Sequence, residues 1–142
     1  MRKKPLEFFL KLLDLKKARS AMIANRARSE FDRVQNFERQ LKDYHDEYQR
    51  SWLESAKQGG SVGELVTRSS FVSRLRETVE AQGPEVSAAS ERLQRASSRA
   101  AADGFRADTL RKYLKAKRLE RRKAVDRSEE REANDRGGHP RR

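Results

Sequence analysis

Along the first third of the chain apolar side chains return every seventh residue, at Leu6, Leu13, Ala27, Val34, Leu41 and Tyr48, with Ser20 the one polar member of the series. A second set lies three residues on, at Phe9, Ile23, Phe37 and Tyr44, and a third four residues on, at Leu10, Ala24, Phe31 and Trp52. Steps of three, four and seven bring side chains to one face of a helix, so this segment reads as a single long helix with a continuous apolar stripe. The same count in the second half runs Leu65, Val72, Val79, Val86, Leu93, Ala100, Ala107 and Leu114, accompanied by Leu75, Ala89, Ala96 and Leu110. Charged residues fill most of the remaining positions, as the solvated faces of a two-helix coil require.

Neither glycine nor proline occurs between Leu6 and Gln58, and then Gly59-Gly60-Ser61-Val62-Gly63 interrupts the pattern. A connection this short returns the second helix along the first. The predicted fold is therefore all-α, a long antiparallel two-helix coiled-coil hairpin with a helix over 6–58, a turn over 59–63 and a helix over 64–133. With the turn centred near residue 61, facing positions should sum to about 120. That register pairs Leu6 with Leu114, Leu41 with Val79 and Tyr44 with Leu75. It brings Phe9 near Leu110 and Tyr48 near Phe71 and Val72, and it sets Ala18, Ala21 and Ala24 against the small residues from Ala102 to Ala96. Gly83-Pro84 falls inside the second helix, where an interior proline costs about 3 kcal/mol or more. The heptads pass through it in phase from Val79 to Val86, which predicts one helix kinked near 83–84 rather than a loop.

A chain of 142 residues is expected to form one domain, residues 1–136, and the tail 137–142 is expected to be disordered. No cysteine is present, so disulfide and thiolate chemistry are excluded. The basic start Met1-Arg2-Lys3-Lys4 is followed by Lys11, Asp14, Lys16 and Lys17, which interrupt what an export signal would need as its apolar core. Charge changes the picture more than composition does. The net charge is +12, and residues 21–110 hold fourteen cations and fourteen acids. Residues 1–20 contribute +5 and residues 111–142 contribute +7. A hairpin gathers those two segments at its open end, which calls for an acidic partner there.

Catalysis finds no footing in these residues. His45 stands on a helix without a metal-spaced neighbour and reads as solvated, His139 lies in the tail, and no phosphate-binding loop, nucleophile elbow or metal motif occurs. The expectation is no enzyme, no cofactor and no metal. A nucleic-acid-binding coiled coil is a third-ranked alternative. Asn25-Arg26-Ala27-Arg28 is followed at once by Glu30 and Asp32, and the strongest basic run, 111–123, continues the heptads instead of preceding a zipper. Leu6 to Lys17 mixes Phe8, Phe9 and leucines with lysines as a segment binding anionic lipid would, but its apolar residues are better used as seam. Tyr44, Tyr48 and Trp52, with Phe71 and Leu75 opposite, place more large side chains near the turn than one seam can bury. Part of that cluster is therefore expected to be exposed and to bind a partner.

Leu41-Lys42-Asp43-Tyr44-His45-Asp46-Glu47-Tyr48, the glycine-containing turn, Phe71-Val72-Ser73-Arg74-Leu75 and Gln82 resemble the pattern of the flagellar FliJ family, with its Leu-x-x-Tyr-x-x-x-Tyr run and its Phe-x-x-x-Leu stretch ending near a glutamine. Phe37 and Thr78 fall where the family tends to have other residues. The resemblance implies a soluble component of the flagellar type III protein-export apparatus, cytoplasmic and peripheral at the inner-membrane apparatus, built like the central stalk of a rotary ATPase. It implies three partners: the hexameric export ATPase, reached through the terminal ends, the export gate protein FlhA, and export chaperones. Carried over by motif, the gate-binding residues are Leu41, Tyr44, Tyr48, Phe71 and Leu75. The basic open end supplies the ring-binding candidates Arg111, Lys112, Lys115, Arg118, Arg121 and Arg122. The nearest alternative is a stalk protein of injectisome type III secretion.

Overall fold

The computed structural model describes residues 3–137. Two helices account for nearly all of them: α1, Lys3–Lys57, and α2, Val62–Gly137, packed as a helical hairpin. The chain divides into two compact units, one formed by residues 19–100 and the other by residues 1–18 with 101–142.

The unit of residues 19–100 contains the turn. The last residues of α1 close with the Gln58 amide donating to the carbonyls of Glu54 and Ser55 at 3.3 and 3.2 Å, and the Gly59 amide donating to Ala56 at 3.4 Å. Gly59 has φ 86°, a left-handed conformation that a side chain would strain and that glycine commonly supplies just past a helix end. Ser61 then caps α2, its hydroxyl oxygen accepting from the Glu64 amide at 3.2 Å. Ser61-x-x-Glu64 is the spacing of a capping box, and it starts α2 at Val62, two residues ahead of the expected Glu64. Val34, Val72 and Ala89 form the apolar core of this unit, with Ser20 buried as well.

In the unit of residues 1–18 and 101–142 the buried residues are Ala107, Leu114 and Asp103. Among the described residues no large side chain is fully buried in either unit. A seam between two helices cannot enclose a Phe or Leu from all sides, so its stability rests on many half-buried contacts.

Several expectations need correction. The four-residue companions form the inner face of α1: every position from Leu10 through Lys17, Ala24, Phe31, Glu38 and His45 to Trp52 is half-buried. The three-residue companions Phe9, Ile23, Phe37 and Tyr44 are about half exposed instead, at 51, 51, 48 and 50%. Of the alanines expected to face each other, Ala24 and Ala96 are half-buried while Ala18, Ala21 and Ala102 are exposed. His45 is not solvated, since its side chain is 13% exposed. As the in-phase heptads predict, Gly83 and Pro84 lie inside one helix, α2. It also includes Gly137, the first residue of the expected tail; residues 138–142 lie outside the described residues.

Candidate functional site

The aromatic cluster lies within the unit of residues 19–100. Tyr48 and Phe71 meet across the seam with ring centroids 4.6 Å apart and planes at 59°, and Tyr44 stands 6.3 Å from Tyr48 on α1. Tilted rings at such distances put a positive edge toward a negative face, which adds about 0.5–1.5 kcal/mol per pair beyond burial. The five gate-binding candidates divide by exposure. Leu41, Tyr48 and Leu75 are half-buried and serve the seam, whereas Tyr44 and Phe71 keep 50 and 38% of their surface in solvent. Phe37, 48% exposed, precedes Tyr44 by seven residues on the same line of α1.

Two polar atoms are enclosed beside this cluster without a hydrogen-bond partner, His45 Nε2 and Trp52 Nε1. His45 Nδ1 lies 3.3 Å from the Asp46 carboxylate, which occupies one ring nitrogen and leaves the other in the seam. Sequence reading passed over His45 because it is polar; its seven-residue spacing from Glu38 and Trp52 was the signal that placed it inside.

The ring-binding candidates lie in the other unit, and the structure divides them too. Arg111 donates to Asp14 at 2.5 Å and to Asp108 at 3.0 Å, and Arg118 donates to Glu7 at 3.1 Å. With Lys17 to Asp108 at 3.1 Å, these pairs lace one flank of the hairpin. The bond from Lys17 holds the Asp108 carboxyl below the usual range, and the bond to Asp14 raises the Arg111 guanidinium further. Both groups are exposed, so solvent screens the pairs and each contributes little to stability. Arg111 and Arg118 are nonetheless partly occupied by acids of α1. Lys112, Lys115, Arg121 and Arg122 are exposed and form no ion pair among the described residues. Arg121 and Arg122 line a shallow depression with Val125 and Asp126. α2 runs 19 residues past Arg118 to Gly137, and every residue from Lys115 to Gly137 is exposed.

The opposite flank of this unit is apolar. Phe9 and Leu13 of α1 and Phe105, Thr109, Leu110 and Tyr113 of α2 line an open groove of about 420 Å³, with Arg106 at its edge. Phe105 is 73% exposed and Tyr113 50%. Sequence reading assigned Phe9 and Leu110 to the seam and left Phe105 and Tyr113 unused.

No group of His, Cys, Asp and Glu among the described residues is placed to hold a metal ion, and none of their helices is long and apolar enough to cross a membrane. The chain is a two-helix scaffold with half-exposed aromatics in one unit and, in the other, exposed cations unpaired among the described residues. The chain belongs to the FliJ family: the family model described as "Flagellar FliJ protein" matches residues 2–135. Searches of curated proteins and of solved structures gave no match.

Proposed function

We propose that this flagellar export-related coiled-coil protein is the central-stalk-like component that links the export ATPase ring to the export gate and assists export chaperones. The family match over residues 2–135 carries the reading. The geometry supports it with two separate kinds of surface. Tyr44 and Phe71 offer an apolar contact for the gate, since an aromatic ring half in water gains by burial in a partner's pocket. Lys112, Lys115, Arg121 and Arg122 offer an exposed basic surface for an acidic ring interior. Binding at both needs no catalytic side chain, and the placement that follows is cytoplasmic and peripheral at the inner membrane.

The test is a pull-down of the purified gate cytoplasmic domain with the wild-type chain, Tyr44→Ala and Phe71→Ala. Each variant should lower gate affinity by on the order of tenfold, the effect of losing an interface anchor worth roughly 1–2 kcal/mol, while helical content is retained. Undiminished binding by both variants would remove the aromatic cluster from the gate contact. Retention of the wild-type chain on DNA with a steep salt slope, in place of binding to the export proteins, would favour a nucleic-acid-binding coiled coil.

A further inference from the structure

We infer that the apolar flank of the unit formed by residues 1–18 and 101–142 docks on an anionic lipid bilayer. The sequence argument against lipid binding was that the apolar residues of Leu6 to Lys17 are needed in the seam. The structure removes that objection for four of them. Phe8, Phe9, Leu12 and Leu15 remain 63, 51, 46 and 66% exposed. Phe8, Leu12 and Leu15 follow steps of four and three, so they form a second apolar line on α1 facing away from the seam. Phe9 carries that line to the open groove, whose far side is made by Tyr113 and Phe105 of α2.

Charge defines the occupant. The stretches 3–18 and 101–118 contain four acids, Glu7, Asp14, Asp103 and Asp108. Glu7, Asp14 and Asp108 are taken up by Arg118, Arg111 and Lys17 in the ion-paired flank. Asp103 is 3% exposed, with Lys16 Nζ at 4.0 Å and Arg106 at 3.9 Å. Within these stretches the apolar flank therefore presents no exposed free carboxylate; Glu120, seven residues past Tyr113, is paired with Lys117 at 3.5 Å, and Lys4, Lys11 and Lys112 stand exposed without an ion pair among the described residues. An apolar face bordered by lysines and free of acids is complementary to a surface of negative headgroups over hydrocarbon.

Width favours a bilayer over a partner helix. An acidic amphipathic helix lying in the groove would cover Phe9, Leu110 and Tyr113 but would leave Phe8 and Leu15, on the outer line of α1, in water. A bilayer surface accepts a broad convex face and lets the lysine stems extend to the headgroups. The inference does not rest on the stalk reading, because it concerns the isolated chain and lipid alone.

The experiment is flotation of the full chain with vesicles of phosphatidylglycerol and phosphatidylethanolamine, against vesicles of pure phosphatidylcholine. The wild-type chain should float with the anionic vesicles and stay unbound with the zwitterionic ones. Phe8→Ser with Leu15→Ser should weaken binding by on the order of tenfold or more, since removing exposed apolar side chains deprives the interface of its inserted area. Lys4→Glu with Lys11→Glu should weaken it by about fivefold or more per lysine. Circular dichroism should show both pairs as helical as the wild type, because all four residues are exposed and their loss does not empty the seam. Failure of the wild-type chain to bind anionic vesicles overturns the proposal and leaves the face to a protein partner. Binding that survives the Phe8 and Leu15 pair overturns it as well, because attraction of basic segments alone would then suffice.

Discussion

His45 and Trp52 sit seven residues apart on the inner line of α1, and each encloses a ring nitrogen with no partner. An enclosed polar atom without a hydrogen bond costs about 1–3 kcal/mol, so these side chains hold their places against their own desolvation. His45→Leu keeps a branched apolar group in the seam and removes the orphaned nitrogen. It should raise stability by about 1 kcal/mol, read as a higher urea midpoint with an unchanged slope. A lower midpoint would mean that Nε2 finds a partner in solution. Residue identity hid this position from sequence reading, which follows apolar letters: Lys17, Glu38 and His45 belong to the inner line by spacing yet interrupt it by polarity. Lys17 and Glu38 settle there by reaching outward, Lys17 to Asp108 at 3.1 Å and Glu38 to Lys42 at 3.3 Å. Of the site candidates, Tyr48 and Phe71 were legible as a pair because large side chains at matched register must meet, and their rings do at 4.6 Å. Commitment of Arg111 and Arg118 to the hairpin was not legible, because an ion pair depends on where a long side chain ends.

At the scale of the elements, the heptads identified two helices and the glycines the turn between them. The sequence pattern puts both companion lines of α1 in one stripe, but steps of three and four fall on either side of the parent line and only the packed partner selects which faces inward. The selection leaves Phe9, Ile23, Phe37 and Tyr44 half exposed, and this adds to the accessible apolar surface in each unit. Glycine has opposite meanings in the two kinds of element. At Gly59, φ is 86°, so Gly59→Ala should strain the turn and lower stability by roughly 1 kcal/mol although a Cβ would meet nothing within 4 Å. At Gly83 the backbone is helical and a Cβ meets nothing beyond its chain neighbours, but the Pro84 ring crowds any side chain just before it in a helix, so it is Gly83→Ala together with Pro84→Ala that should raise stability, by about 3 kcal/mol or more, through helix propensity and the recovered amide. Pro84 beside it lacks the amide that would bond the Glu80 carbonyl, which adds a second local weakness inside α2. Thermal melts of the two alanine variants should shift in opposite directions. A loss of stability when both Gly83 and Pro84 are replaced would mean that the 83–84 segment is not helical in solution.

At the scale of the whole molecule, positive charge is unevenly shared. Residues 1–18 with 101–142 hold twenty Lys/Arg against ten Asp/Glu, and residues 19–100 hold fourteen against twelve. Within the more basic unit the excess narrows further, because 111–123 holds eight cations and one acid while 124–137 holds three cations and five acids. The ring-binding proposal therefore has a local target. Reversing Arg118 would also break its bond to Glu7, so a change in binding would be confounded with a loosened hairpin. Arg121 and Arg122 avoid that ambiguity, since both are exposed and form no ion pair among the described residues. Arg121→Glu with Arg122→Glu should cut co-purification with the export ATPase and stimulation of its turnover by on the order of tenfold at low salt, while gate binding through Tyr44 and helical content stay unchanged. The wild-type interaction should itself weaken as salt rises, because exposed charges are screened over about 10 Å at 0.1 M. Salt-insensitive ATPase binding that the double reversal leaves intact would show that the basic segment is not the ring contact, and would shift the assignment to the apolar surface of the same unit.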